Sequence, residues 1–213
     1  MFDLSSLNTA ITFLDEVPNL EPLHVNQGHD AEQDIHYGSY AIRGIRDTME
    51  DEIVIECDVW STDDDSVSCF AVFDGHGGSA CSKFLAENWI PQCEKQGKSL
   101  LQFNANVEKL FLQMDENFEA QQVQMHDKIV TEVDAGSTAN VLFVKKNKKI
   151  NDYELICCNC GDSRSILCTG RSNEDIIALS YDHKPKQRNE KRRIENAGGF
   201  VSFDRINGEL AVS

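Results

Sequence analysis

The sequence predicts an α+β domain built mainly on antiparallel sheet, and three observations carry that expectation. Strand-like segments come first, two helical patterns follow one another between Cys81 and Phe118, and further strands joined by short turns complete the chain. A βαβ repeat would alternate the two element types instead, and neither a GxxxxGK[ST] nor a GxGxxG phosphate loop occurs. Hydrophobic residues make up 40% of the 213 and charged residues 26%, the balance of a chain able to bury a core.

Residues 1–36 are polar and acidic, without sustained period apart from the short apolar stretch Ala10–Leu14. They are expected to form a poorly structured N-terminal extension with at most one short helix, followed by an ordered domain over residues 37–213. From Tyr37 the pattern turns strand-like, with Tyr40 and Ile42 and then Ile53, Ile55 and Cys57, separated by a turn-like segment from Gly44 to Asp51. Asp63, Asp64 and Asp65 lack the glycine and the final glutamate of a calcium loop and are read as a hairpin turn before the apolar strand Val67–Phe73.

Cys81, Phe84, Leu85 and Trp89 recur at helical spacing, with Pro91 expected to end the run. Val107, Leu110, Phe111, Met114 and Phe118 form one apolar stripe on a longer helix, a core-facing surface. Strands are then expected over Ala139–Val144, Tyr153–Asn159 and Ser165–Cys168, with the lysines at 145, 146, 148 and 149 around a hairpin turn. A short helix from Gln187 to Asn196 stops at Gly198-Gly199, and Asn207-Gly208 is the strongest hairpin signal in the chain.

Twenty Lys and Arg stand against 36 Asp and Glu, a net charge of −16. That field repels nucleic-acid phosphates and anionic membrane surfaces, so no nucleic-acid partner and no membrane partner is expected. No apolar run approaches the ~20 residues of a membrane helix. Most of the eight cysteines lie inside apolar patterns and are read as reduced thiols, and Cys157 and Cys160 have CxxC spacing without a second pair to complete a zinc site. Met1–Val17 has no basic n-region and no Asn-x-Ser/Thr acceptor occurs, which suits a cytoplasmic or nuclear location.

Two segments gather polar groups at strand ends, Gly44–Asp51 and Phe73–Gly78. In the second, an Asp followed by Gly-His-Gly-Gly lets backbone approach a ligand closely, so that a carbonyl and a carboxylate face one hard cation such as Mg²⁺ or Mn²⁺. The first offers Glu50 and Asp51 with Arg46, whose guanidinium fork matches a phosphate. Together they point to metal-assisted phosphate chemistry.

The chain resembles the metal-dependent protein serine/threonine phosphatases of the PPM, or protein phosphatase 2C, family, collinearly from about Gly38 to Ser213. The carriers are GIRDTMED at 44–51, FDGHGG at 73–78, GSTA at 136–139 and NCGDSR at 159–164, then DHKP at 182–185, RIENAGGFV at 193–201 and RINGELAVS at 205–213. The resemblance implies a two-sheet antiparallel β-sandwich flanked by helices, incomplete at the C-terminus. It also implies hydrolysis of phosphoserine and phosphothreonine in proteins by a water activated between two Mn²⁺ or Mg²⁺ ions, without a covalent phosphoenzyme.

Carried over residue by residue, Asp74 bridges the metals, Glu50 and the Gly75 carbonyl help hold one of them, and Asp51 supports the site. Arg46 holds the phosphate, His76 is the general acid, and Asp162 takes a third, weaker ion. GSTA, DHKP and AGG are read as structural. Family members carry two further metal-binding aspartates beyond the LAVS segment, so the 213 residues resemble the N-terminal part of a catalytic domain. A weak or inactive chain with open sheet edges that invite association is therefore expected. The alternative reading is a noncatalytic binding or regulatory module of the same fold.

Overall fold

The computed structural model describes residues 24–96, 105–125, 135–170, 172, 175–208 and 210. It divides into two compact units, Met1–Met49 and Glu50–Ser213.

Within the first unit, β1 (His24–Asp30) and β2 (Ile35–Ala41) form an antiparallel hairpin. Strand structure is therefore present at His24–Asp30, before Tyr37, and Ala10–Leu14 lies outside the described residues. The sequence gives little warning, because this hairpin has no continuous apolar face: every residue from His24 to Gln27 is exposed, and so is Tyr40. Its loop is local chemistry. The Asp30 carboxylate accepts the N–H groups of Glu32 (2.9 Å) and Gln33 (3.1 Å), and Asp34 closes the turn at φ 55°.

The second unit is organised by a five-stranded antiparallel sheet in the order β3 (Asp51–Ser61), β4 (Asp65–His76), β6 (Ala139–Asn147), β7 (Asp152–Cys160), with the two-residue β5 (Gly136–Ser137) pairing the end of β4. Along β4, Val67, Cys69, Ala71, Phe73 and Gly75 alternate inward and all are buried. They meet α1 (Ala80–Gln96) and α2 (Ala105–Met125), whose Leu85, Trp89, Cys93, Val107, Leu110 and Met114 complete the core cluster. Trp89 is its centre, 5.6 Å from the Phe73 ring and edge-on to Phe111 at 5.1 Å. Of the stripe read from the sequence, Val107, Leu110, Met114 and Phe118 are buried, and Phe111 packs against the core half-buried.

Helix α1 does not end at Pro91 but runs through it to Gln96. Proline costs a helix the hydrogen bond to the carbonyl four residues back, here that of Glu87. Pro91 and Glu87 are both exposed, so water reaches that carbonyl, while burial of Trp89 and Cys93 holds the helix on either side.

The opposite sheet face carries Ile53, Ile55, Phe70, Val72, Leu142 and Leu155, in register across four strands. These side chains are only partly covered, with Val72 at 42% exposure. Among the described residues no second sheet exceeds two strands: β8 (Ile166–Cys168) pairs β9 (Ile176–Ala178), and β10 (Val201–Ser202) pairs β11 (Arg205–Ile206). The fold is the α+β antiparallel type expected, with one extended sheet.

At the far end of this sheet the acidic turn after β3 meets the basic turn after β6. The Lys148 N–H donates to the Asp64 carbonyl (2.8 Å), and the Lys149 ammonium pairs with the Asp64 carboxylate at 2.7 Å. Both charge runs are hairpin turns. The β6–β7 loop also repeats the β1–β2 design, with the Asn147 side chain accepting the N–H groups of Lys149 and Ile150 and Asn151 at φ 52°.

The short α3 (Arg188–Asn196) ends where expected, with the Gly199 N–H donating to the Ile194 carbonyl and Gly198 at φ 89°. Asn207 (φ 51°) and Gly208 (φ 83°) turn the chain so that Ile206 bridges Leu210, although a second, unexpected turn at Phe203-Asp204 splits the preceding strand. The short β9 was not expected at all, because three residues after a polar stretch carry no usable period.

All eight cysteines are free thiols. Burial pushes Cys81 and Cys158 up to about 11 and Cys93 up to about 12, so they behave as apolar side chains. Cys157 and Cys160 lie three residues apart on β7, where alternation sends them to opposite faces and removes the zinc reading.

Candidate functional site at the end of the β3–β4 ladder

The candidate site in the second unit begins with strand register. Asp51 and Asp74 are direct partners on the terminal rung of β3–β4, so both side chains leave the sheet on one face, and both are exposed. Glu50 extends the rung: its carbonyl accepts the Gly75 N–H at 3.2 Å, and its carboxylate accepts the Gly78 N–H at 3.4 Å. The Ser82 hydroxyl of α1 donates to the same Glu50 carbonyl at 2.5 Å, fastening the helix start to the strand start.

Gly75 is required by space. A Cβ there would lie 2.4 Å from the Glu50 carbonyl oxygen and 2.8 Å from Ser82 Oγ. The loop after it needs glycine for conformation, with Gly77 at φ 68° and Gly78 at φ 115°. His76, half-buried, lies two residues beyond Asp74 on β4 and pairs with Gly136, and any Cβ at 136 would strike its ring at 2.4 Å.

The GSTA segment holds the Asp74 backbone from the other side. Thr138 is buried, its N–H donates to the Asp74 carbonyl (2.8 Å), and its hydroxyl accepts the Asp74 N–H (3.1 Å). That hydroxyl also lies 2.7 Å from Ser163 Oγ, which ties in the loop after β7. In this loop Asp162 is mostly covered and pairs with the Lys184 ammonium, while Arg164 grips Asp182 through two bonds of 2.9 and 2.8 Å. The Arg164 hydrogen bonds hold the Asp182 carboxyl below its ordinary range. Gly161 (φ 101°) touches the Thr138 side chain, and its N–H donates to His183 Nδ1 at 3.2 Å.

The structure thus brings Glu50, Asp51, Asp74, Gly75 and His76 to one strand end, with Asp162 linked to it through Ser163 and Thr138. The carboxylates of Glu50, Asp51 and Asp74 do not converge as a tight triad: among the described residues only His29, Asp34 and His36 place three metal-ligating atoms within 4.8 Å of one another. Arg46 belongs to the first unit, exposed in the loop after β2, where the Arg43 guanidinium donates to the carbonyls of Arg46 (2.5 Å) and Asp47 (2.9 Å). The sequence reading took GSTA and DHKP as structural without singling out Thr138 or Lys184, and it missed Ser82. The opposite charges of GDSR and DHKP were the available signal for Lys184, whereas no pattern announces a hydroxyl that caps a distant strand.

The fold and site describe an α+β protein with a carboxylate-rich, glycine-lined end to its central hairpin. Residues 35–213 match the family model of Protein phosphatase 2C. The chain is 38% identical over 183 residues to Protein phosphatase 2C 1 of Paramecium tetraurelia, covering 83% of this chain and 57% of that protein. It is 35% identical to Protein phosphatase 2C homolog 2 of Saccharomyces cerevisiae, covering 83% of this chain and 36% of that one.

Among solved structures, a phosphatase from a pathogenic strain of Toxoplasma gondii superposes with a TM-score of 0.54 at 26% identity, covering 80% of this chain and 60% of that one. A C. elegans sex determining protein shares the fold, with a TM-score of 0.58 at 23% identity over 98% of this chain and 48% of that one. The chain belongs to the protein phosphatase 2C family. It spans little more than half the length of the Paramecium relative.

Proposed function

We propose that the intact protein hydrolyses phosphoserine and phosphothreonine in proteins with two Mn²⁺ or Mg²⁺ ions, and that this chain is the N-terminal part of its catalytic domain. The observation that carries the reading is the direct opposition of Asp51 and Asp74 beside Glu50 and Gly75. The rung places two carboxylates side by side, a concentration of negative charge that a divalent cation stabilises. The donors there are hard oxygens, which suit Mg²⁺ and Mn²⁺, and the cradle at Gly75 is one that any Cβ would fill.

In this reading Asp74, Glu50 and the Gly75 carbonyl would hold the ions, and Asp51 would add negative charge beside them. Asp162 serves a third, weaker ion. When bound, the ions supply charge neutralisation for the phosphate and acidify water. The resemblance assigns the phosphate to the guanidinium fork of Arg46, and His76 would deliver a proton to the departing serine or threonine oxygen. Thr138 and Ser82 fix the backbone of Asp74 and Glu50 so that the carboxylates need no reorganisation.

The test is Asp74→Asn in the full-length protein, assayed on a phosphothreonine peptide in Mn²⁺. Turnover is expected to vanish with the fold intact. Activity within a few-fold of wild type would remove the metal assignment, and an inactive but folded wild type would replace the enzyme with a noncatalytic binding module.

A further inference from the structure

The one convergent set of metal-ligating atoms among the described residues lies in the first unit, on the β1–β2 hairpin, and owes nothing to the phosphatase reading. His29 and His36 are direct cross-strand partners, so their side chains share a face. Their rings stack with centroids 3.9 Å apart and planes 9° from parallel. Asp34 reaches the same place from the loop, with its carboxylate 3.6 Å from His29 Nε2. All three residues are exposed.

Hairpin folding does not demand these residues. The β6–β7 hairpin uses the same four-residue loop, with an Asx side chain accepting two backbone N–H groups and a residue at positive φ before the next strand. There the rung matching His29–His36 is Lys146–Tyr153, with the ammonium 5.7 Å from the ring, and the residue matching Asp34 is Asn151. One scaffold thus carries a cation–π pair in one copy and two imidazoles with a carboxylate in the other.

We infer that His29, His36 and Asp34 form a binding site for a borderline-soft divalent transition ion, with Zn²⁺ its natural occupant. Two neutral imidazoles and one carboxylate supply three of the four positions of a tetrahedral zinc ion, and water takes the fourth. Imidazole nitrogen selects against Mg²⁺, so this site and an oxygen-lined one fill from different ions. The ligand atoms lie within 4.8 Å of one another. Tetrahedral donors around zinc are about 3.3 Å apart, given metal–ligand distances near 2.0–2.1 Å. The imidazoles are exposed and their χ2 torsions are soft, so the rings are free to turn toward a shared ion.

The experiment is a Zn²⁺ titration of the full chain in excess Mg²⁺, followed by calorimetry and by imidazole NMR signals, with Co²⁺ absorption as a second probe. One equivalent is expected to bind with shifts at His29 and His36 and not at His24 or His183, and without the thiolate-to-cobalt charge-transfer band that cysteine ligation gives. In His29→Asn/His36→Asn, substitutions on an exposed face, affinity is expected to fall by at least about tenfold, and Asp34→Asn is expected to weaken it less. Unchanged affinity in the double variant, binding carried by thiolates, or no saturable binding would each overturn the site.

Discussion

Asp51 and Asp74 stand directly opposite each other on the last rung of the β3–β4 ladder, two carboxylates on one face of one hairpin. Like charges directly opposite each other destabilise an antiparallel pair, and the same repulsion is what a divalent cation removes. Asp51→Asn is therefore expected to raise stability in chelator by up to about 1 kcal/mol, the Coulomb energy of two exposed charges a few ångströms apart in water, and to weaken Mn²⁺ binding. Urea unfolding with and without Mn²⁺ checks both signs. A variant that is less stable in chelator would mean that the pair is not repulsive, and unchanged Mn²⁺ affinity would separate Asp51 from the metal site.

Thr138 turns the GSTA segment into a brace for Asp74. Thr138→Val keeps the shape but leaves the Asp74 N–H and the Ser163 hydroxyl without their partner, at an expected cost of about 1–3 kcal/mol. Thr138→Ser keeps the hydroxyl and is expected to lose less. Equal losses in the two variants would show that the methyl group, not the hydrogen bond, matters here.

What the sequence made legible was set by period and by local chemistry. The Val107–Phe118 stripe, the β4 alternation and the glycine stop after α3 are readable because burial or φ demands particular residues at particular spacings. The β1–β2 hairpin escaped because its exposed face leaves no apolar pattern, and the passage of α1 through Pro91 escaped because tertiary burial of Trp89 and Cys93 outweighs one lost hydrogen bond. At the candidate site, residue types pointed to metal and phosphate, but the register that opposes Asp51 to Asp74 and the tie from Asp162 through Ser163 to Thr138 are long-range facts. No local window contains them.

The Arg164–Asp182 pair makes a prediction in acid. Hydrogen bonds from Arg164, opposed by partial burial and assisted by its charge, lower the Asp182 carboxyl below its ordinary 3.8. A carboxyl lowered in the folded state contributes stability that is fully present above 3.8 and lost as pH falls through the lower folded value. An NMR titration of Asp182 is expected to give a midpoint below 3.8 that returns toward it in Arg164→Ala. A midpoint indifferent to Arg164 would assign the shift to another cause.

Lys184 occupies the carboxylate that the family resemblance gives to a third ion. Its ammonium pairs with Asp162, whose side chain is only 17% exposed, and a cation arriving at Asp162 must displace it. Lys184→Met removes the competitor and leaves a largely covered carboxylate without a cation. In chelator that variant is expected to lose about 1–2 kcal/mol, between the worth of a surface pair and that of a buried one. In Mn²⁺ the sign reverses: an ion that binds Asp162 no longer competes with an ammonium, so the melting temperature of Lys184→Met is expected to rise more on adding Mn²⁺ than that of wild type. Asp162→Asn supplies the control, since it removes the ligand and with it the extra rise. Thermal melts of the three proteins across a Mn²⁺ series decide the matter. The same Mn²⁺-dependent rise in all three would make the Lys184–Asp162 pair a structural ion pair and leave Asp162 with no part in metal binding.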